Sequence, residues 1–229
     1  MRVYSASGLP IIGNYVPGNT QSFIHCSGIT NEIYYATPMQ ENCTALSAVT
    51  PAGSGIRVNM FITPNYPIIL NDVCVQVTAT PVGVPEYWIT LGIYENIDAR
   101  TTTSELKLVL YPGDLIAQSK EIPVTTQGKI SWYPNIKLEP NKRYWLAYLP
   151  SRSSLSVRGS SAGGSIANST YGISNALGTA SNWGISASVV AANATVRATG
   201  LPAQFPTGGT AQTSAQPCIF YKALYGGAR

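Results

Sequence analysis

Paired carboxylates are the first chemistry to test in this sequence, because two carboxyl groups roughly 5–10 Å apart can hydrolyse a glycosidic bond. Among the ten acidic residues, Glu95 and Asp98 form the closest pair that we place in a loop. They follow a Leu-Gly-Ile-Tyr stretch, in a segment for which we predict a variable, solvated turn. We therefore interpret them as loop residues without a catalytic role.

Nucleophilic catalysis has little support in the chain, because His25 is the only imidazole that could serve as a base. Gly159-Ser160-Ser161-Ala162-Gly163 matches the GxSxG pattern of serine hydrolases. It lies in a Ser/Gly-rich stretch, and we expect neither a strand before it nor a helix after it. The glycines at 159–164 and 208–209 lack the Lys-Ser/Thr of a phosphate loop. We expect no catalytic residue and no enzymatic activity.

Metal and cofactor sites are not expected either. The four cysteines, Cys26, Cys43, Cys74 and Cys218, include no CxxC pair, which removes the usual zinc and iron–sulfur spacings. Four cysteines in 229 residues are far from a disulfide-dense scaffold. We favour free buried thiols, while the even count leaves two disulfides open.

Aromatic rings among small polar residues are the remaining candidates for function. Tyr171 in NSTYGIS and Trp183 in ASNWGIS stand where a ring can stack on a sugar. The Asn182 amide and the Thr170 hydroxyl would supply hydrogen bonds. We predict Tyr171, Asn182 and Trp183 as ligand-binding residues. The alternative, that each ring plugs a loop onto the core, stays open.

Strands must position these residues, because short alternating apolar runs recur between turn residues and no segment has a helical period. Tyr144 to Leu149 is apolar on both faces, which predicts a central strand, and Tyr111-Pro112-Gly113-Asp114 predicts a turn. We expect half-buried strands in an all-β, antiparallel sandwich. The runs lie at 56–64, 68–80, 86–95, 105–119, 128–138, 144–149 and 217–224.

One sandwich domain with an extension fits the length. We predict an N-terminal arm or attachment segment at 1–30 and a β-sandwich domain at 31–229. Its core strands lie at about 44–150, long Ser/Gly/Ala/Asn-rich loops with one or two strands at 151–215, and a closing strand at about 217–224. Charged residues make up 10% of the chain, against roughly 25% in ordinary soluble proteins. A polar, uncharged surface suits a protein held in an assembly.

The charge is small but unevenly placed. The net charge is +4, and every acidic residue lies at or before Glu139, so the C-terminal third is cationic. The basic residues do not cluster, which argues against nucleic acid and fits an anionic polysaccharide or an acidic neighbouring subunit. No apolar run approaches transmembrane length and the N-terminus lacks a signal-peptide pattern. We therefore expect no membrane insertion.

Four short motifs follow one another within residues 87–149. They are Leu91-Gly92-Ile93-Tyr94, Tyr111-Pro112-Gly113-Asp114-Leu115-Ile116-Ala117, Thr125-Thr126-Gln127-Gly128 and Leu138-Glu139-Pro140-Asn141-Lys142-Arg143-Tyr144-Trp145-Leu146-Ala147. In this order and spacing they resemble a module of tailed-bacteriophage virion proteins, found in tail-fibre, receptor-binding and head-fibre gene products. The resemblance implies a jelly-roll-like sandwich, usually presented as a homotrimer on a virion that is assembled in the host cytoplasm. Asn141-Lys142 replaces the glycine turn of the pattern, and Gln127 is an insertion.

Two function hypotheses follow. In the first, the chain is a tail-fibre or receptor-binding accessory protein that recognises host surface polysaccharide or protein through loops in 151–215. In the second, it is a capsid decoration, head-fibre or adaptor protein, whose arm and uncharged faces hold it to other virion proteins. A binding test against host surface glycans separates the two.

Overall fold

The structure of the chain, a computed structural model, describes residues 35–37, 47–50, 55–79, 87–100, 108–151, 155–160, 184–187, 200–207, 210–211 and 216–225. Every regular element in these ranges is a β-strand, and the strand pairs are antiparallel. The all-β antiparallel class predicted from the alternating apolar runs is confirmed.

The strands follow the predicted runs closely, with short additional strands in the segments between them. They are β1 (Tyr35–Thr37), β2 (Ser47–Val49), β3 (Ile56–Ile62), β4 (Ile68–Ala79), β5 (Trp88–Arg100), β6 (Leu108–Gln118), β7 (Ile122–Pro123), β8 (Gly128–Trp132), β9 (Ile136–Leu138), β10 (Arg143–Pro150), β11 (Ser156–Ser160), β12 (Gly184–Ala187), β13 (Thr210–Ala211), β14 (Gln216–Pro217) and β15 (Ile219–Tyr225).

Two sheets make up a sandwich-like arrangement. The eight-stranded sheet has the order β1-β15-β4-β11-β14, with β2 beside β11 and with β8 and β9 beside β4. The seven-stranded sheet has the order β13-β12-β3-β10-β5-β6, with β7 beside β5. The closing strand β15 pairs with β4, far earlier in the chain, as its apolar pattern predicted.

The inner core lies between the two sheets. From β10, Tyr144, Leu146 and Tyr148 face it, and from β4, Val73 and Val75 face it, all of them buried. The alternation along each strand places these residues on one side of their sheet. Burial of this shared apolar surface holds the sheets together.

The outer face of the seven-stranded sheet is also buried. Trp145, Ala147 and Leu149 of β10 lie there with Leu201 and Phe205 of the segment 200–207. β10 runs between β3 and β5, so the predicted central strand is confirmed. The expectation of half-buried strands is wrong for β3, because this second layer covers the face opposite the inner core.

The segment 200–207 is fastened to β5 and β6 by backbone and side-chain bonds. The Leu115 amide donates to the Ala203 carbonyl at 2.8 Å, and the Phe205 amide donates to the Gly113 carbonyl at 3.0 Å. Gly92 lies beneath this segment, and a Cβ there would collide with the Leu201 side chain. The Leu201 side chain would therefore have to shift to accommodate a larger residue at position 92.

The predicted turn at Tyr111–Asp114 is wrong, because this stretch lies inside β6. Tyr94 pairs with Leu115 and Asn96 pairs with Pro112, so Gly113 and Asp114 form a bulge opposite one residue of β5. Pro112 itself pairs with Asn96 directly before the bulge, and it is tolerated because β6 lies at the edge of the sheet. The strand continues past it, and β5 extends to Arg100.

The range 151–215, expected to hold one or two strands in long loops, contributes β11, β12 and β13. Cys74 and Cys218 are buried and free, as favoured from the cysteine spacing, whereas Cys26 and Cys43 lie outside the described residues. The predicted arm at 1–30 also lies outside them and stays a prediction.

Candidate functional site

The three residues predicted to bind a ligand, Tyr171, Asn182 and Trp183, lie outside the described residues. β12 begins at Gly184, directly after Trp183, and pairs with β3 at the side of the seven-stranded sheet. The role of these three residues stays a prediction.

The carboxylates and the GxSxG sequence are placed differently from expectation. Glu95 and Asp98 lie on strand β5 and not in a loop, because the hairpin with β6 continues to Arg100. β11 ends at Ser160, so a strand does precede the Ser161 position, contrary to expectation. This stretch is a strand because it pairs with β2 and β14. Ser161 and His25 are outside the described ranges.

A polar cluster lies inside the sandwich. Arg57, Asn59 and Tyr148 are at most 2% exposed, and Asn59 Nδ2 donates to the Pro217 carbonyl at 2.8 Å. Burial lowers the pKa of Arg57, an effect that Tyr148 partly opposes. Burial also raises the pKa of Tyr148, with the nearby Arg57 acting in the opposite direction. Since these groups are enclosed, they are not accessible to a ligand.

Tyr133 is the most exposed large apolar side chain among the described residues, at 61%, against 46% for both Ile97 and Leu224. Its neighbour Trp132 ends β8 and packs against the inner core. Tyr133 directly follows β8, and continued alternation from the inward-facing Trp132 would direct its ring to the outer side of the eight-stranded sheet.

The backbone around Tyr133 follows from two residues. Pro134 has no amide hydrogen and cannot continue the strand ladder, so the run splits into β8 and β9, both of which pair with β4. Asn135 has φ of 51°, a left-handed conformation that asparagine tolerates better than most residues.

Asn71 completes the site from the neighbouring strand. Lys222 pairs with Asp72 and Ala223 pairs with Leu70, so Asn71 is the extra residue of a bulge in β4. Asn71 Nδ2 donates to Asn135 Oδ1 at 2.9 Å on the exposed surface. Each amide has both donor and acceptor atoms, so Oδ1 of Asn71 and Nδ2 of Asn135 remain for solvent or a ligand.

Apolar and cationic residues extend this surface along the same face. Leu224 pairs with Ile69, which pairs in turn with Lys137, and side chains of directly paired residues share a face. Lys137 is exposed. We call the whole surface the Tyr133 patch, comprising Tyr133, Asn71, Asn135, Ile69, Lys137 and Leu224.

Asp72 contributes no free negative charge to the patch. Its carboxylate is 2% exposed and accepts from Lys129 Nζ at 3.1 Å and from Ser131 Oγ at 3.4 Å. Within the described ranges, no group of three or more His, Cys, Asp or Glu residues could hold a metal ion. The patch offers an aromatic face, amides and an ammonium group, which together suit binding.

Sequence reasoning missed Tyr133, although a signal was present. In Trp132-Tyr133-Pro134-Asn135, two adjacent rings must point to opposite faces, and the following Pro-Asn pair marks a turn.

In comparisons with known proteins, no family model matches this chain and no curated protein matches it. Where the chain is described, no helix is long and apolar enough to span a membrane.

Proposed function

We propose that this chain is a non-enzymatic structural protein of a bacteriophage virion, a tail-fibre or receptor-binding accessory protein that recognises host surface glycan. The observation that carries the binding role is the exposed Tyr133 ring beside the Asn71–Asn135 amide pair. The virion location, the jelly-roll-like topology and the homotrimer rest on the resemblance of residues 87–149 to phage virion modules.

A sugar ring fits the chemistry of this patch. The flat faces of pyranose rings are apolar and can lie against an exposed aromatic ring, while their hydroxyls need donors and acceptors at the rim. Tyr133 supplies the ring, and the two amides supply both kinds of polar atom. Because the surface is open, one patch should bind weakly, and presentation of three copies would raise the avidity.

The rigidity of the surrounding sheet supports binding. Asn71 lies in β4, and Asn135 directly precedes β9, which pairs with β4. Their mutual hydrogen bond links the two amides. A site held by paired strands loses little conformational entropy when a ligand binds. Most of the conformational entropy at this site is therefore already lost when the protein folds, before a ligand binds.

A second candidate function is structural attachment as a capsid decoration, head-fibre or adaptor protein. It is supported by Ile97, a large apolar side chain that is 46% exposed on the seven-stranded sheet. An exposed apolar side chain of this kind can meet another virion protein. In this case the label in the experiment below would lie on the head.

The test combines binding with location. Wild-type protein, Tyr133→Ala and the control Ile97→Ala would be applied to immobilised bacterial surface polysaccharides, and virions that carry the chain would be labelled with immunogold. We expect wild type and Ile97→Ala to bind at least one polysaccharide, Tyr133→Ala to lose at least tenfold in affinity, and label at the tail tip. Binding to none, with label over the head, would select the attachment role.

A further inference from the structure

We infer that the ligand of the Tyr133 patch is an acidic glycan, with a carboxylate bound by Lys137 while the sugar ring lies on Tyr133. This inference rests on the proposed function, since it names the chemical class of the glycan that the patch recognises. It is carried by the charges of the two sheets, which differ sharply.

The strands of the eight-stranded sheet contain four basic residues, Lys129, Lys137, Arg158 and Lys222, and a single acid, Asp72. The difference of four and one leaves a charge of +3. The strands of the seven-stranded sheet contain three basic residues and three acids and are neutral; these are Arg57, Arg100 and Arg143 with Glu95, Asp98 and Asp114.

Lys137 is the cation best placed to contact a bound anion. Lys129 is engaged by Asp72 at 3.1 Å, and its side chain is 28% exposed. Lys137 of β9 is exposed, and it pairs with Ile69 of β4 within the patch. An ammonium group on a flexible stem can follow a carboxylate on a mobile sugar chain as a point charge.

The neutralised Asp72 adds to this selectivity. Asp72, the single acid in these strands, is 2% exposed and paired with Lys129, so its charge is shielded from an anionic ligand. A neutral glycan would gain nothing from the positive surface, whereas an acidic one is attracted before contact and held after it. Attraction between exposed charges weakens as ionic strength rises.

The experiment compares acidic bacterial polysaccharides with their own carboxyl-reduced forms, prepared by carbodiimide activation and borohydride reduction and immobilised side by side. The proteins are wild type, Lys137→Gln, Lys137→Arg, Tyr133→Ala and the control Lys120→Gln, an exposed lysine between β6 and β7. Matching denaturation midpoints would establish that all five are folded.

We expect wild type and Lys120→Gln to bind an acidic polysaccharide, with about tenfold weaker binding after carboxyl reduction, in Lys137→Gln, or in 0.5 M salt, and with partial recovery in Lys137→Arg. Equal binding to the reduced form, or full affinity in Lys137→Gln, overturns the acidic-glycan inference and leaves the proposed function standing. Binding of wild type to no polysaccharide, or full affinity in Tyr133→Ala, overturns the proposed function itself.

Discussion

Tyr94 and Trp145 of the seven-stranded sheet differ sharply in exposure from Tyr133, which follows a strand of the eight-stranded sheet. On the seven-stranded sheet, Tyr94 and Trp145 are covered by the segment 200–207, and their polar atoms donate to Pro202 O at 2.9 Å and to Asn96 Oδ1 at 3.0 Å. On the eight-stranded sheet, Tyr133 remains 61% exposed. An aromatic ring in this chain is therefore structural where the chain covers it, and accessible to a ligand where it does not.

The largest effect should come from removing the cover. Phe205 is 5% exposed and contacts Tyr94 and Tyr111 edge-on, with ring centroids 5.5 and 5.7 Å apart. We expect Phe205→Ala to lower the free energy of unfolding by about 3–5 kcal/mol, measured by urea denaturation, because it leaves a cavity among buried rings. A loss below about 1 kcal/mol would mean that the segment 200–207 does not cover this face.

Alkaline pH should weaken the covered face next. Burial raises the pKa of Tyr94, so the folded state favours the protonated phenol. The associated stability is fully present below the unfolded tyrosine pKa of about 10 and is lost as pH rises above it, by at most about 1.4 kcal/mol per pH unit per site. Denaturation curves at pH 8–11.5 should show a shallower alkaline loss in Tyr94→Phe than in wild type. Identical slopes would contradict the assignment.

Removing single hydroxyls should have a smaller effect. Tyr111 donates to the Pro206 carbonyl at 2.6 Å, and Tyr94 donates to the Pro202 carbonyl. We expect Tyr111→Phe and Tyr94→Phe each to cost about 1 kcal/mol at neutral pH, because each leaves a carbonyl without its partner. If the free energy of unfolding of both variants equalled that of wild type, packing alone would hold the segment 200–207 in place.

The smallest effect on stability should be that of Tyr133→Ala. Its ring is mostly exposed, so we expect a change within about 0.5 kcal/mol in urea denaturation, together with the loss of glycan binding described above. A cost of more than about 2 kcal/mol would show that Tyr133 packs as a structural residue and would remove the contrast between the two faces.

The sequence was sufficient for the class of fold and for the strand with two apolar faces. Tyr144 to Leu149 predicted the central position of β10. The segment 200–207 was not identified, because its few apolar residues, Leu201 and Phe205, stand among small and polar ones and gain meaning only beside β5 and β6.

The candidate site was harder to predict than the fold. Whether Trp132 or Tyr133 points outward depends on how β8 pairs with β4, and periodicity alone does not give that register. The Asn71–Asn135 contact joins residues that are distant in sequence. The turn at Asn141 was easier to recognise, because asparagine stands there in place of the usual glycine. Its φ of 55° is a left-handed conformation that asparagine tolerates.

The most direct test of the account is a TROSY NMR titration of the protein with an acidic oligosaccharide that it binds. We predict shifts for the backbone amides of Asn71, Tyr133 and Asn135 and for the side-chain amides of Asn71 and Asn135, and none for the amides of the segment 200–207. Shifts confined to the segment 200–207, or to residues outside the Tyr133 patch, would contradict the claim that this patch is the recognition surface.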